Sequence, residues 1–273
     1  MTTMLQKPAI EQIFKRFLFQ FSQEINLQKV KSEFKSYGNG GVIFEKSKNF
    51  GIITLNYPEK KNAFSGKMMV ELHDIIENLD KEKELKGLIL TGKGDTFCAG
   101  GDFQSVHVYI KQSKQKGFDM ACLIADVSKK LQNLPCLSVS LVNGRAIGGG
   151  AEIALSTDLR AFSEKSGSLT FIHAKMGLMT MGGASRLKNF VERPKTLEIL
   201  NSCQTIGSHE ALKLGLCDKL VKDEDAINET MDWLEILSRP STSVIDSMKK
   251  SLFNDSLEQD LTKERKLFAS IWT

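Results

Sequence analysis

The most informative segment of the chain is Val142-Asn-Gly-Arg-Ala-Ile-Gly-Gly-Gly-Ala-Glu-Ile-Ala154. It continues the apolar run 137–142, which predicts a buried strand, and it ends in a helical pattern that starts at Ala151. Because Gly148, Gly149 and Gly150 carry no Cβ, another group can approach the backbone of this junction closely. The first N–H groups of the helix have no partners within it. The junction therefore suits an oxygen that gains negative charge, and Glu152 lies one turn away.

A second glycine-rich segment lies about 50 residues earlier in the chain. The apolar run 88–91 predicts a strand, and Phe97-Cys-Ala-Gly-Gly-Asp102 then leads into a predicted helix. Each segment alone is typical of an ordinary turn in an α/β protein. The two together, in this order and at this separation, are much more specific.

The two segments together resemble the crotonase (enoyl-CoA hydratase/isomerase) superfamily, and the resemblance covers residues 40–272. Further motifs resemble that family at the expected intervals: Asn56-Tyr-Pro58, Asn62-Ala-Phe64, Gly177, Gly182-Gly183 and Arg186-Leu187. Three others resemble the decarboxylases of the superfamily, which act on alkylmalonyl-CoA thioesters: the run 62–69, Phe171-Ile-His173 and Glu264-Arg265…Trp272.

This resemblance implies an α/β crotonase-like fold, in which a spiral of ββα units precedes a helical C-terminal region that forms trimers. We expect an N-terminal helical extension over 1–36, the spiral core over 37–200 and the helical region over 201–273. The expected assembly is a homotrimer or hexamer. Strands that alternate with helices independently indicate right-handed crossovers and a mainly parallel sheet.

The local patterns predict individual elements. Apolar periodicity predicts a helix over 10–21, whereas 28–35 is interpreted as a polar connector. The predicted strands are 42–46 and 50–55 as a hairpin, 86–91, 137–142, 159–162 and 168–172. The predicted helices are 65–79 with Ser65 as N-cap, most of 103–135, 196–200, 208–214, 226–237 and 243–272.

Composition limits the classes of function. Of the 273 residues, 41% are hydrophobic and 26% charged, and the net charge of +4 is too small to imply nucleic acid but compatible with an anionic CoA ester. No apolar run approaches the length of a membrane span. Five scattered cysteines without a CxxC pair predict free thiols in a reducing compartment, which favours the cytosol. The segment 10–21 is either a packed helix or a mitochondrial presequence.

The resemblance also implies the chemistry. The backbone N–H groups of Gly101 and Gly149 match the pair that holds a thioester carbonyl in the family. Glu152 aligns with one of the two glutamates that handle water in a hydratase, and the second would fall at His173. Since two carboxylates serve hydration, this replacement favours a decarboxylase, which needs an oxyanion hole, a pocket for the carboxylate and an acid. Either Glu152 or His173 could orient the carboxylate or manage the proton.

The expected reaction converts ethylmalonyl-CoA to butyryl-CoA, and methylmalonyl-CoA to propionyl-CoA. CoA is part of the substrate, and no metal or redox cofactor is implied; the four histidines lack metal-ligand spacing. The alternatives are an enoyl-CoA hydratase or isomerase, and a catalytically silent protein that binds CoA esters. Asp102 is expected to cap the following helix. The residues expected along CoA are Lys60, Asn62, Ala63, Phe64, Ala99, Gly100 and Gly148.

Overall fold

A computed structural model describes residues 25–79, 81–82, 84–252, 259, 261–262 and 264–266. The predicted helix over 10–21 lies outside these residues. Within them, no helix combines the length and the apolar character that a bilayer crossing requires.

Two sheets form the centre of the described part of the chain. Their strands are β1 (Gly41–Ser47), β2 (Phe50–Asn56), β3 (Gly87–Gly92), β4 (Thr96–Cys98), β5 (Leu137–Val142), β6 (Arg145–Ile147), β7 (Leu159–Ser163), β8 (Ser168–Thr170), β9 (Thr205–Gly207) and β10 (Lys219–Val221). The larger sheet has the order β1-β2-β3-β5-β7-β10, and the smaller one has the order β4-β6-β8-β9. Only the β1–β2 hairpin and the β8–β9 pair are antiparallel among these pairs, so the prediction of a mainly parallel α/β fold is confirmed.

Helices cover both sheets. They are α1 (Leu27–Phe34), α2 (Gly66–Leu79), α3 (Phe103–Ile110), α4 (Lys114–Asn133), α5 (Gly149–Ala154), α6 (Gly183–Leu187), α7 (Arg193–Ser202), α8 (Ser208–Lys213), α9 (Ala226–Leu237) and α10 (Thr242–Ser251). Beyond α10, the described residues 259, 261–262 and 264–266 are helical.

Helix α2 forms where its sequence pattern places it. The Ser65 hydroxyl accepts a hydrogen bond from the N–H of Met68 at 3.1 Å, which confirms the predicted N-cap. Met68, Leu72 and Ile76 recur at helical spacing and are fully or almost fully buried. Burial of such side chains stabilises the fold by about 1.5–3 kcal/mol each.

The prediction of a polar connector over 28–35 is wrong, because α1 occupies this segment. Asn26 caps it by accepting a hydrogen bond from the N–H of Lys29. Val30 and Phe34 stand one turn apart and bury a narrow apolar face, and the Phe34 ring lies 4.5 Å from that of Tyr109. The segment 28–35 has only two apolar residues among eight, which is too weak a periodic signal to distinguish a helix from a loop.

Strand structure continues past residue 200. Strand β9 pairs with β8, and β10 pairs with β7. The segment 205–221, which also contains α8, therefore contributes one strand to each sheet. Four strands of three residues, β4, β6, β9 and β10, are absent from the sequence prediction because three residues are too few to show an alternating pattern.

Candidate active site

The two glycine-rich loops meet at Gly100 and Gly149. A Cβ on Gly100 would lie 2.9 Å from the carbonyl oxygen of Ile147 and 3.6 Å from the nitrogen of Gly149. Gly100 also has a φ of +93°, in the region that side-chain-bearing residues rarely adopt. Glycine is therefore required here both for backbone conformation and for the close approach of the second loop.

Hydrogen bonds fix the first loop against Phe64. The Phe64 N–H donates to the carbonyl of Gly100, and the Asp102 N–H donates to the carbonyl of Phe64, both at 2.7 Å. This bridge does not use the N–H of Gly101. Gly149 is the first residue of α5, so its N–H has no partner within that helix. Two backbone donors from separate loops are thus left for a ligand oxygen, as the oxyanion-hole prediction requires.

Both glycines line an apolar cavity of about 310 Å³. Among the described residues, the ionisable side chains of its lining are His107 and His173, and none of the carboxylates of these residues belongs to the lining. The apolar wall consists of Phe64, Met69, Leu72, Phe103, Val106, Met120, Ile124, Val127, Ile147, Ile153, Ile172, Met176, Leu178 and Met181. Such a cavity suits an acyl chain, because it removes apolar surface from water.

His173, which lines the cavity, lies close to Glu152, which does not. The Nε2 atom of His173 lies 3.9 Å from Oε1 of Glu152, which is within ion-pair range but too long for a hydrogen bond. Both residues are buried, with exposed fractions of 3% and 8%. In the described part of the chain, neither Oε2 of Glu152 nor Nδ1 of His173 has a hydrogen-bond partner. Unsatisfied buried polar atoms of this kind are available to a ligand or to a proton.

The other oxygen of Glu152 is already engaged. Oε1 accepts hydrogen bonds from the N–H groups of Met181 and Gly183, at 2.8 and 3.0 Å. The side chain is therefore oriented by the loop that precedes α6. A Cβ on Gly183 would come within 2.8 Å of the same oxygen, so glycine is also needed for this contact.

Glu264 binds the same loop and the first turn of α6. The sequence did not identify it as a site residue. It accepts hydrogen bonds from the N–H groups of Ala184 and Ser185, at 3.1 and 2.9 Å, and from the hydroxyls of Thr180 and Ser185. Burial, together with the nearby Glu152 carboxylate, raises the pKa of Glu264. The only sequence signal was its place in a motif near the C-terminus, which does not indicate that it reaches the site.

The residues predicted to lie along CoA occupy one rim of the site. Phe64, Ala99, Gly100 and Gly148 line the cavity, whereas Lys60, Asn62 and Ala63 do not. Lys60 is exposed and donates a hydrogen bond to Gln104 at 3.1 Å, which places its ammonium beside the start of α3. The predicted cap is also present, since Asp102 accepts a hydrogen bond from the N–H of Gln104 at 3.3 Å.

The Asn62 side chain is enclosed by its own loop. Its oxygen accepts from the N–H of Tyr57 at 2.9 Å, and its amide donates to the carbonyls of Lys93 and Thr96 at 2.9 and 2.6 Å. The residue has no exposed surface and a φ of +54°. Its amide is thus unavailable to CoA, and the side chain serves to fix the loop that carries Phe64.

A cluster on α2 lies apart from this site. His73, Asp74 and Glu77 bring together atoms that could ligate a metal ion. The ammonium of Lys31, however, lies 2.5 Å from Asp74 and 3.4 Å from Glu77 and neutralises them. The Nε2 atom of His73 lies 2.8 Å from Oδ2 of Asp126. The cluster is a network of ion pairs that joins α1, α2 and α4.

Comparison with known proteins places these features in a family. The family model for enoyl-CoA hydratase/isomerase matches residues 45–272. The chain is 34% identical to an ethylmalonyl-CoA decarboxylase from Xenopus laevis and 33% identical to one from Rattus norvegicus. Each alignment covers 93% of this chain and 87% of the relative.

Solved structures agree at the level of the fold. An enoyl-CoA hydratase from Bacillus halodurans superposes with a TM-score of 0.79 at 24% identity, covering 85% of this chain and 95% of that one. The predicted crotonase-like α/β architecture is confirmed by this match.

Proposed function

Because this chain belongs to the enoyl-CoA hydratase/isomerase family, we propose that it decarboxylates acyl-CoA thioesters that carry a carboxylate on the α-carbon. The substrate we propose is ethylmalonyl-CoA, which yields butyryl-CoA, with methylmalonyl-CoA as a second substrate that yields propionyl-CoA. The relatives that are called ethylmalonyl-CoA decarboxylases support this choice.

The observation that carries the proposal is the pairing of Glu152 with His173 at the edge of a cavity whose lining, over the residues that the structure describes, includes no carboxylate. Hydration of a double bond is served by two carboxylates that share a water molecule and its proton. Here one carboxylate is paired with an imidazole, and Glu264, the other buried glutamate nearby, is directed toward Thr180, Ala184 and Ser185. The arrangement favours a reaction in which no base removes a proton from carbon.

In the proposed reaction, the bond between the α-carbon and the carboxylate carbon breaks, and CO₂ leaves. The electron pair of that bond passes to the α-carbon and onto the thioester oxygen as an enolate. The N–H groups of Gly101 and Gly149 stabilise this oxygen, and one such donor is typically worth about 3 kcal/mol of barrier. The Glu152–His173 pair then gives a proton to the α-carbon in place of the lost carboxylate, which restores the thioester carbonyl, and the pair takes up a new proton from solvent. The electrons stay within the substrate, so the step needs no redox cofactor.

We also propose that the protein acts in the cytosol as a homotrimer or hexamer. Free cysteines, most of them buried, support a reducing compartment. Apolar side chains on and directly after the helices α9 and α10 support self-association, since Ile236, Met248 and Leu252 are 55%, 59% and 83% exposed. Cell fractionation and sedimentation of the full chain test the two statements separately.

The activity test measures CO₂ release from racemic ethylmalonyl-CoA and, in parallel, hydration of crotonyl-CoA. We expect CO₂ release by the wild-type protein and loss of most of it in Glu152→Gln and His173→Ala. His209→Ala serves as the matched control, because its side chain is 66% exposed and lies outside the cavity. Hydration without CO₂ release would establish the hydratase alternative, and binding of butyryl-CoA without either reaction would establish the silent binder.

A further inference from the structure

Within the described lining of the cavity, one ionisable side chain is not used by the proposed reaction. His107 lies on α3 and lines the same apolar space as His173, Gly101 and Gly149. A malonyl-type substrate brings a carboxylate into this space. A buried carboxylate is costly unless a hydrogen-bond donor or a cation meets it. The described lining has two such side chains, His107 and His173. Which of them binds the substrate carboxylate determines which substrates the cavity can hold.

His173 is poorly placed to hold the substrate carboxylate by itself. Its Nε2 atom already lies 3.9 Å from Oε1 of Glu152, and the proposed reaction uses this imidazole in the pair that protonates the α-carbon. The carboxylate is better accommodated away from Glu152, at the part of the cavity wall that α3 forms.

His107 has the position and the support that this role requires. It is six residues beyond Gly101 and belongs to the helix that the oxyanion loop enters, so the loop and the imidazole are held by one element. The ring of Phe103 stacks on that of His107, with centroids 4.5 Å apart and planes 20° apart, which fixes the plane of the imidazole. An imidazole donates an N–H in its neutral form and carries a positive charge when protonated, so either form can bind a carboxylate.

We propose that His107 recognises the free carboxylate of the substrate and makes the cavity selective for acyl-CoA thioesters that carry one on the α-carbon. This inference rests on the proposed function, because it assumes that the thioester oxygen lies on Gly101 and Gly149. His107 and the Glu152–His173 pair then have separate roles: His107 orients the carboxylate before the bond breaks, and the pair protonates the α-carbon afterwards.

The test compares two ligands that differ only in the carboxylate, ethylmalonyl-CoA and its product butyryl-CoA. In His107→Ala we expect KM for ethylmalonyl-CoA to rise about tenfold or more, the loss typical of one charge-assisted hydrogen bond. The inhibition constant of butyryl-CoA should change less than about twofold. His107→Gln keeps an N–H donor and should recover part of the loss, and His209→Ala should match the wild type. The inference is overturned if His107→Ala weakens the binding of both ligands equally, or weakens the binding of neither.

A failure of the proposed function is distinguishable from a failure of this inference. If the wild-type protein releases no CO₂, calorimetry with the same two thioesters still measures whether a carboxylate is preferred. A preference for ethylmalonyl-CoA that His107→Ala abolishes supports recognition by His107 even without turnover. Equal affinity of the wild-type protein for the two thioesters contradicts it.

Discussion

Substitution of Gly100 by alanine perturbs both halves of the candidate oxyanion hole at once. The new Cβ would lie 2.9 Å from the carbonyl oxygen of Ile147, closer than such carbons are normally found. That oxygen belongs to the backbone that leads into Gly148 and Gly149, so the contact cannot be relieved by rotating a side chain. The two loops must move apart, and the N–H groups of Gly101 and Gly149 move with them.

Two costs can be estimated separately. A left-handed φ of +93° on a residue with a side chain costs about 1–3 kcal/mol, which should appear as a lower free energy of unfolding. Loss of one oxyanion donor costs about 3–4 kcal/mol of transition-state stabilisation, so kcat should fall by about 100- to 1000-fold. We therefore expect Gly100→Ala to lose more activity than partial unfolding explains.

The assay measures butyryl-CoA formation at a temperature at which urea denaturation shows the variant to be folded. Gly117→Ala is the matched control, because a Cβ at this position in α4 meets nothing within 4 Å. We expect the control to keep full activity and to gain up to about 1 kcal/mol of stability. A kcat of Gly100→Ala within about threefold of the wild type would refute the assignment of the two loops as the oxyanion hole.

Three further substitutions test the supports of the site. Asn62→Ala should lower the free energy of unfolding by about 2–4 kcal/mol in urea, because buried backbone groups lose their partner; a change below about 1 kcal/mol would contradict this role. Glu264→Gln should reduce kcat about 10- to 100-fold with little change in KM, since it loosens the loop that orients Glu152, and an unchanged kcat would exclude that role. The hydrogen bond from His73 lowers the pKa of Asp126, so its carboxylate stabilises the fold above about pH 4 and that stability is lost as the pH falls through the lowered pKa. In Asp126→Asn, the free energy of unfolding should therefore fall less than in the wild type as the pH is lowered below about 4. An equally steep fall in the variant would contradict this role of Asp126.

The elements predicted well from sequence are those whose pattern is long and regular. The strand 137–142 and the helix 226–237 have the predicted bounds, and the hairpin at 41–56 differs by one residue at three of its four strand ends. Strand 50–56 and helix 226–237 bury alternate or helically spaced side chains, which is visible as periodicity, whereas strand 137–142 is buried almost throughout and is visible as an apolar run. Strands β4 and β6 are held by pairing with each other rather than by a pattern of their own, so only the fold reveals them.

The site was predictable where it rests on backbone chemistry. Glycines at strand-to-helix junctions are required by sterics, and Gly100 does meet the second loop at a distance that no other residue tolerates. The contacts of side chains from remote parts of the chain were not predictable. Glu264 reaches Thr180 across 84 positions, and nothing in the sequence around either residue indicates this pairing.

Asn62 shows a different limit, because the side chain of this motif residue is bound to its own loop. Its three hydrogen bonds connect the turn after β2 with the loop before β4. A side chain that fixes such a loop and one that binds a ligand on its surface are equally constrained in sequence. Only the directions of the hydrogen bonds distinguish the two.

In the proposed reaction, Gly101 and Gly149 stabilise an enolate that Glu152 and His173 protonate, and the most direct test follows the proton that reaches the α-carbon. Ethylmalonyl-CoA is converted in D₂O, and the butyryl-CoA product is analysed by NMR for the position and configuration of deuterium. We predict one deuterium at C2, in a single configuration for the wild-type protein, with His173→Ala slower or less selective. No butyryl-CoA, or deuterium in both configurations with the wild-type protein, would contradict the account, because the proton would then not come from a fixed group in the site.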